Sequence, residues 1–123
     1  VWCSAKRYAE ATGLIDEYAQ AANRTVPQWL HGYQPWIGVD SDPVKAREVV
    51  KQAMEKFYHV PFEKFERYTP FGTPAQVAEQ LAPYIDSGCR LFNLKVCAQA
   101  PEEEVDLGGE VLSILSKMHQ DQI

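Results

Sequence analysis

Apolar residues recur at helical spacing in four segments of the chain. Steps of three and four residues place side chains on one face of a helix, so each segment predicts an amphipathic helix. The four segments are residues 6–22, 43–57, 74–87 and 101–118. Their stripes comprise Leu14, Ile15, Tyr18, Ala19 and Ala22; Val49, Val50, Ala53, Met54 and Phe57; Val77, Leu81, Tyr84 and Ile85; and Val111, Ile114, Leu115 and Met118.

Capping residues set the expected helix boundaries. Asn23 can adopt the left-handed conformation that ends the first helix, and Pro43 suits the first turn of the second. Thr73 begins the third helix, with Gln76 placed for a capping box. That helix is expected either to kink at Pro83 or to accommodate it, and to end at Gly88. In the last helix, Gly108-Gly109 predicts an interruption. A short helical turn is expected at residues 63–67.

Two segments have strand character. In QWLHGYQPWIGVD, residues 28–40, aromatic and β-branched residues favour a strand. Pro35 has no N–H for a ladder, so we expect the strand at residues 35–39 with an irregular start from Trp29. RLFNLKVCA, residues 90–98, is nearly continuously apolar, which is typical of a parallel strand covered by other elements. The pair Val1-Trp2 resembles the end of a further strand.

Alternation of strands and helices predicts a single α/β domain over residues 1–123 with parallel strands. In such folds the carboxyl ends of the strands and the starts of the following helices share one rim, where sites collect. The residues expected at this rim are Val1, Trp2, Cys3, Asp40, Ser41, Asp42, Cys97, Ala98 and Gln99. The start of the Thr73 helix is expected nearby.

The composition excludes two classes of binding partner. The chain has 12 basic and 17 acidic residues, a net charge of −5. Nucleic acids and anionic membranes attract clustered Lys and Arg, so we expect neither as a partner. With no span of about 20 apolar residues and no signal peptide, the expected location is the cytoplasm. Buried reduced thiols are favoured for Cys3, Cys89 and Cys97, and we expect no metal site.

Three groups of residues admit both a structural and a functional interpretation. GTPAQ, residues 72–76, is either a helix cap or an anion-binding helix start. VDSD, residues 39–42, either caps a helix or supplies carboxylates for acid–base chemistry or a divalent cation. The aromatic residues either pack the core or line a flavin or apolar substrate pocket. Trp2 is the aromatic residue expected to face the rim.

The same segments resemble one enzyme family. GTPAQVAEQLAPYIDSGCRLFNLKV, residues 72–96, is similar to the closing helix and strand of the luciferase-like monooxygenases, which are flavin- or deazaflavin-dependent TIM barrels. VDSDPVKAREVV resembles their preceding strand end, acidic turn and Ala-Arg-rich helix. YAQAANRTVP resembles an Ala-rich helix followed by Gly-Arg and a Pro, with Asn23 in place of the glycine. The initial VW is similar to another strand end of the family.

This resemblance implies the C-terminal part of a (β/α)8 barrel, with two parallel strands, a strand stub and covering helices. In the parent family FMN or a deazaflavin would carry out the oxidoreductase chemistry, and Trp2, Gly72 and Thr73 are the positions expected near it. No catalytic residue of the family carries over to this chain. Eight strands are needed to close such a barrel, so we expect this chain alone to be inactive and to bind no flavin.

An incomplete barrel leaves sheet edges and helix stripes uncovered, which predicts a two-fold homodimer. An alternative interpretation is a stand-alone dimeric binding or structural module with a small-molecule ligand between its subunits near Trp2 and Trp36. A further alternative is a truncated piece of a longer enzyme.

Overall fold

A computed structural model describes residues 3–25 and 30–121 and shows an α/β fold. The helices are α1 (Ala5–Ala21), α2 (Pro43–Tyr58), α3 (Pro74–Asp86) and α4 (Pro101–Asp121). The strands are β1 (Gly32–Tyr33), β2 (Trp36–Val39), β3 (Phe71–Gly72), β4 (Leu91–Phe92) and β5 (Lys95–Cys97). Two short 3-10 helices, Phe62–Lys64 and Glu66–Tyr68, connect α2 to β3 and confirm the predicted turn.

All strand pairs are parallel. Strand β1 pairs with β4, and β2 pairs with β5 in the same register. The two pairs are therefore successive parts of one interrupted ladder. The interruption falls at Pro35, which cannot donate a hydrogen bond but whose carbonyl still accepts one from the Lys95 N–H at 2.9 Å. The strand predicted at residues 35–39 is confirmed, and the one predicted at residues 90–98 is present as two short strands, β4 and β5. The irregular start was expected from Trp29, which lies outside the described residues.

Strand β3 occupies the other edge of β2, which gives the sheet order β3–β2–β5. The Gly38 N–H donates to the Pro70 carbonyl at 3.0 Å, and the Asp40 N–H donates to the Gly72 carbonyl at 3.1 Å. The sequence analysis did not predict β3. A strand of two residues is too short to show an alternating pattern, and a glycine is one of its two members.

Helices cover both faces of the sheet. Ile37 and Val39 point to one side, where they join buried residues of α3 and α4 such as Val77, Leu81 and Val111. Trp36 and Gly38 point to the other side, toward α2, because side chains alternate along a strand. On that side the core consists of Val50, Met54, Phe62 and Cys97.

Gly38 allows α2 to lie directly against the sheet. A Cβ atom at this position would lie 2.3 Å from the Ala46 carbonyl oxygen and 2.8 Å from a Val50 methyl group. Both distances are far below van der Waals contact, so only glycine fits the observed separation. The side of β2 that faces α2 therefore packs through backbone rather than through a side chain at this point.

The predicted helix boundaries are largely confirmed. Asn23 has a φ of 55° at the end of α1, and Pro83 is accommodated within α3. The expected interruption of the last helix was wrong, because α4 runs without a break through Gly108 and Gly109. Gly108 faces Val96 closely, since an added Cβ would lie 2.8 Å from a valine methyl group. This glycine therefore serves close packing of α4 on β5.

The predicted stripes are buried to different extents. Those of α3 and α4 are confirmed as core, whereas Phe57 of α2 is 66% exposed, which contradicts its predicted burial. On α1, Leu14, Ile15 and Tyr18 remain exposed, and Tyr18 keeps 69% of its surface. Tyr8 is the buried residue through which α1 contacts the core.

Residues 3–25 and 30–121 form two small parallel sheets, β1–β4 and β3–β2–β5, and no closed barrel. The predicted strand stub falls mainly on Val1 and Trp2, which lie outside the described residues, and Cys3 belongs to no strand. None of the described helices is both long and apolar enough to cross a membrane.

Candidate functional site

The ends of β2 and β5 meet at one rim, as predicted, since Gly38 is paired with Cys97. The expected place of Cys3 at this rim was wrong, because its carbonyl accepts a hydrogen bond from Tyr84 at the other end of the ladder. The carboxylates at this rim are used by the local turn. Asp40 accepts a hydrogen bond from the Asp42 N–H at 2.8 Å, and Asp42 accepts one from the Val44 N–H at 3.0 Å at the start of α2. These contacts confirm the capping interpretation of residues 39–42.

Gly72 and Thr73 build the start of α3. Thr73 and Gln76 form a capping box in which each side chain accepts a hydrogen bond from the other residue's N–H, at 3.3 and 3.0 Å. Gly72 has a φ of +141°, and a Cβ there would lie 2.5 Å from the Gln76 side-chain oxygen. The cap therefore explains both residues. Their expected role near a cofactor stays a prediction, and Trp2 lies outside the described residues.

No metal site is found among the described cysteines and histidines. Within residues 3–25 and 30–121, no group of three or more His, Cys, Asp and Glu side chains could hold a metal ion. All three cysteines are free. Burial raises the pKa of the Cys97 thiol to about 11 and also raises the pKa of Cys89, so both thiols are protonated at neutral pH.

Three tyrosines join α1, β1 and α3 at the other end of the ladder. The rings of Tyr33 and Tyr84 stack with centroids 4.3 Å apart, and Tyr8 packs edge-on against both. The Tyr8 hydroxyl donates to the Gly32 carbonyl at 3.0 Å, and the Tyr84 hydroxyl donates to the Cys3 carbonyl. Burial raises the pKa of all three phenols, so they remain neutral packing groups rather than bases.

A groove of about 470 Å³ lies between α2 and the edge strand β5. We call it the Trp36 groove. Its apolar lining consists of Trp36, Val49, Ala53, Phe57, Val96 and Ala98. The Cys97 thiol adds a neutral polar group, and Lys56, Lys95 and Glu104 supply the charged groups. It combines aromatic walls with cationic side chains.

Aromatic contacts fix the walls of the Trp36 groove. The Trp36 indole N–H donates to the Tyr58 hydroxyl at 3.1 Å, and the Trp36 and Phe57 rings lie 5.5 Å apart between centroids. The Lys95 ammonium lies over the indole, 5.7 Å from its centroid. Such a position allows a cation–π attraction that holds the charge at the groove.

The sequence analysis found only part of this groove. Trp36 was among the residues expected near a ligand, but its neighbours were not identified. Lys56 of α2 is distant along the chain from Lys95 of β5 and Glu104 of α4, and Phe57 was assigned to the core. Lys95, a charged residue within the nearly continuously apolar segment 90–98, is the sequence signal that marks one part of the groove.

Comparison with known proteins identifies no family. No protein-family model matches the sequence, and no curated protein matches it.

The raised pKa of Cys97 predicts a loss of stability at high pH. The pKa of this thiol is 9.0 in the unfolded chain and about 11 in the folded chain. Above pH 9 the unfolded chain binds fewer protons than the folded chain, so deprotonation favours unfolding. Urea unfolding should show the free energy of unfolding falling by roughly 2 kcal/mol through this thiol between pH 9 and 11. The fall should be shallower in Cys97→Ala than in Cys3→Ala, and equal slopes in the two variants would contradict the assignment.

Proposed function

We propose that the chain derives from the closing segment of a flavin- or deazaflavin-dependent, luciferase-like oxidoreductase barrel. The observation that supports it is the paired ends of β2 and β5, with α2 and α4 following them. Neighbouring strands of a (β/α)8 barrel place parallel strand ends and helix starts at one rim in this way, although here β3 and α3 lie between β2 and β5 along the chain. The resemblance of residues 72–96 to the closing unit of that family supports the same origin.

One helix departs from the arrangement of a closed barrel, in which every helix lies outside the strands. Helix α3 packs against α1 and α4 on one face of the sheet. Helix α2 covers the opposite sheet face, which would face the interior of a closed barrel. In this chain the α2 side chains fill the space that facing strands would occupy, so the three strands acquire a core without the rest of a barrel.

In the proposed parent, FMN or a deazaflavin would supply the redox chemistry. The start of α3 leaves few N–H groups for a flavin phosphate. At the start of α3, the N–H groups of Thr73 and Gln76 are engaged in the capping box, and Pro74 has none. We therefore propose a scaffolding role for this segment, without catalytic competence in the isolated chain.

This proposal predicts no tight flavin binding by the chain. Titration of the protein into micromolar FMN or deazaflavin, followed by flavin fluorescence and visible absorbance, should leave both spectra unchanged. A Thr73→Ala variant provides the control, because it frees the Gln76 N–H and removes the cap. Saturable micromolar binding to the unaltered chain would show that it retains a cofactor site and would refute the scaffolding role.

A second candidate is a stand-alone dimeric binding or structural module. The exposed apolar face of α1, formed by Leu14, Ile15 and Tyr18, favours it. Contiguous exposed apolar side chains mark surfaces that associate, and homodimers commonly have two-fold symmetry. We place such a dimer in the cytoplasm, where the free thiols of Cys3, Cys89 and Cys97 would stay reduced.

The dimer proposal predicts a mass of twice the chain mass in light scattering at micromolar concentration. Substituting Leu14→Lys and Tyr18→Lys together should produce monomers, because two-fold packing would bring like charges together in an apolar contact. The matched control is Gln20→Lys on the opposite side of α1, which should stay dimeric. A well-folded monomer before any substitution would exclude this candidate without bearing on the barrel origin.

A further inference from the structure

We propose that the Trp36 groove binds a small aromatic monoanion. The aromatic body would lie against Trp36 and Phe57, and the negative charge would lie at Lys56 and Lys95. The inference goes beyond the proposed function, because it requires neither a flavin nor a second subunit.

The apolar part of the groove has the size and exposure of a ligand site. Its volume of about 470 Å³ falls within the range of roughly 300–1,000 Å³ typical of small-molecule pockets. Phe57 is 66% exposed although it is a large apolar residue. Burial of that surface by a ring would be favourable, and offset or edge-to-face contact with Trp36 would add to it.

The charged side chains favour a single negative charge on the ligand. Two lysines and one glutamate line the groove, which leaves one excess positive charge there on a chain whose net charge is −5. Because Lys95 already lies over the Trp36 ring, its ammonium is positioned at the aromatic wall. An aromatic ligand with one carboxylate or sulfonate group matches this arrangement. The second negative charge of a dianion would be repelled by Glu104.

The backbone of β5 supplies a further donor. Lys95 directs its N–H to the Pro35 carbonyl of the neighbouring strand. Since successive N–H groups of a strand point to opposite sides, the N–H of Val96 points to the other edge of β5. Within the described ranges no strand pairs with that edge. A carboxylate or sulfonate oxygen can therefore accept a hydrogen bond from the Val96 N–H.

The Cys97 thiol does not repel an anionic ligand in the groove. Cys97 is 5% exposed, and burial keeps its thiol protonated at neutral pH. Its role here is that of a small neutral lining group. Glu104 is then the anionic side chain of the groove lining, and it belongs to the first turn of α4.

The probe that tests this proposal is 1-anilinonaphthalene-8-sulfonate, an aromatic monoanion whose fluorescence rises on binding. Its neutral analogue N-phenyl-1-naphthylamine reports on the apolar walls alone. In fluorescence titrations, the double variant Lys56→Gln/Lys95→Gln should lower affinity for the sulfonate roughly two- to thirtyfold and leave affinity for the neutral analogue unchanged. Phe57→Ala should lower affinity for both probes, roughly two- to tenfold.

The matched control is Lys45→Gln/Lys64→Gln, which removes the same charge from exposed positions outside the groove. Sulfonate affinity within twofold of the unaltered chain is expected for this control. Equal losses in the two double variants, or no loss in either, would overturn the proposal. Loss of sulfonate binding on Leu14→Gln/Tyr18→Gln substitution would also overturn it, since the probe would then bind the face of α1.

Discussion

The close approach of helix α2 to strand β2 at Gly38 is the constraint on which the rest of the fold depends. No side chain separates the two backbones there, and a Cβ atom would lie 2.3 Å from the Ala46 carbonyl oxygen. This contact lets Val50 and Met54 reach the sheet and form the second core with Phe62. Two layers of helices then enclose three short parallel strands, and buried parallel strands require such cover on both faces.

Local signals allowed much of the fold to be predicted. The capping box at Thr73, the left-handed Asn23 and the proline at the start of α2 each act within a few residues, so the sequence reveals them. Long-range packing determined the features that were missed. Phe57 continues the spacing of the α2 stripe, yet it lies where the sheet ends, and β3 is recognisable only once it pairs with β2.

The candidate sites also differ in how far local signals in the sequence predict them. The rim predicted from strand ends exists, but its carboxylates and helix starts are engaged in caps, as at Asp40, Asp42 and Thr73. The Trp36 groove could not be predicted as a unit, because its lysines and aromatic residues meet only after α2 settles on the sheet beside β5. Function at this groove would thus depend on the same contact at Gly38 that builds the second core.

We infer that the stability of the fold depends on the close contact of α2 with β2 at Gly38. Urea unfolding of Gly38→Ala tests it most directly, with Gly109→Ala as the control because a Cβ there meets no atom within 4 Å. We expect Gly38→Ala to lower the free energy of unfolding by roughly 1–3 kcal/mol, as overpacking does. Gly109→Ala should be neutral or stabilising by up to about 1 kcal/mol, since alanine favours a helix. Equal stabilities of Gly38→Ala and the unaltered chain would contradict the claim.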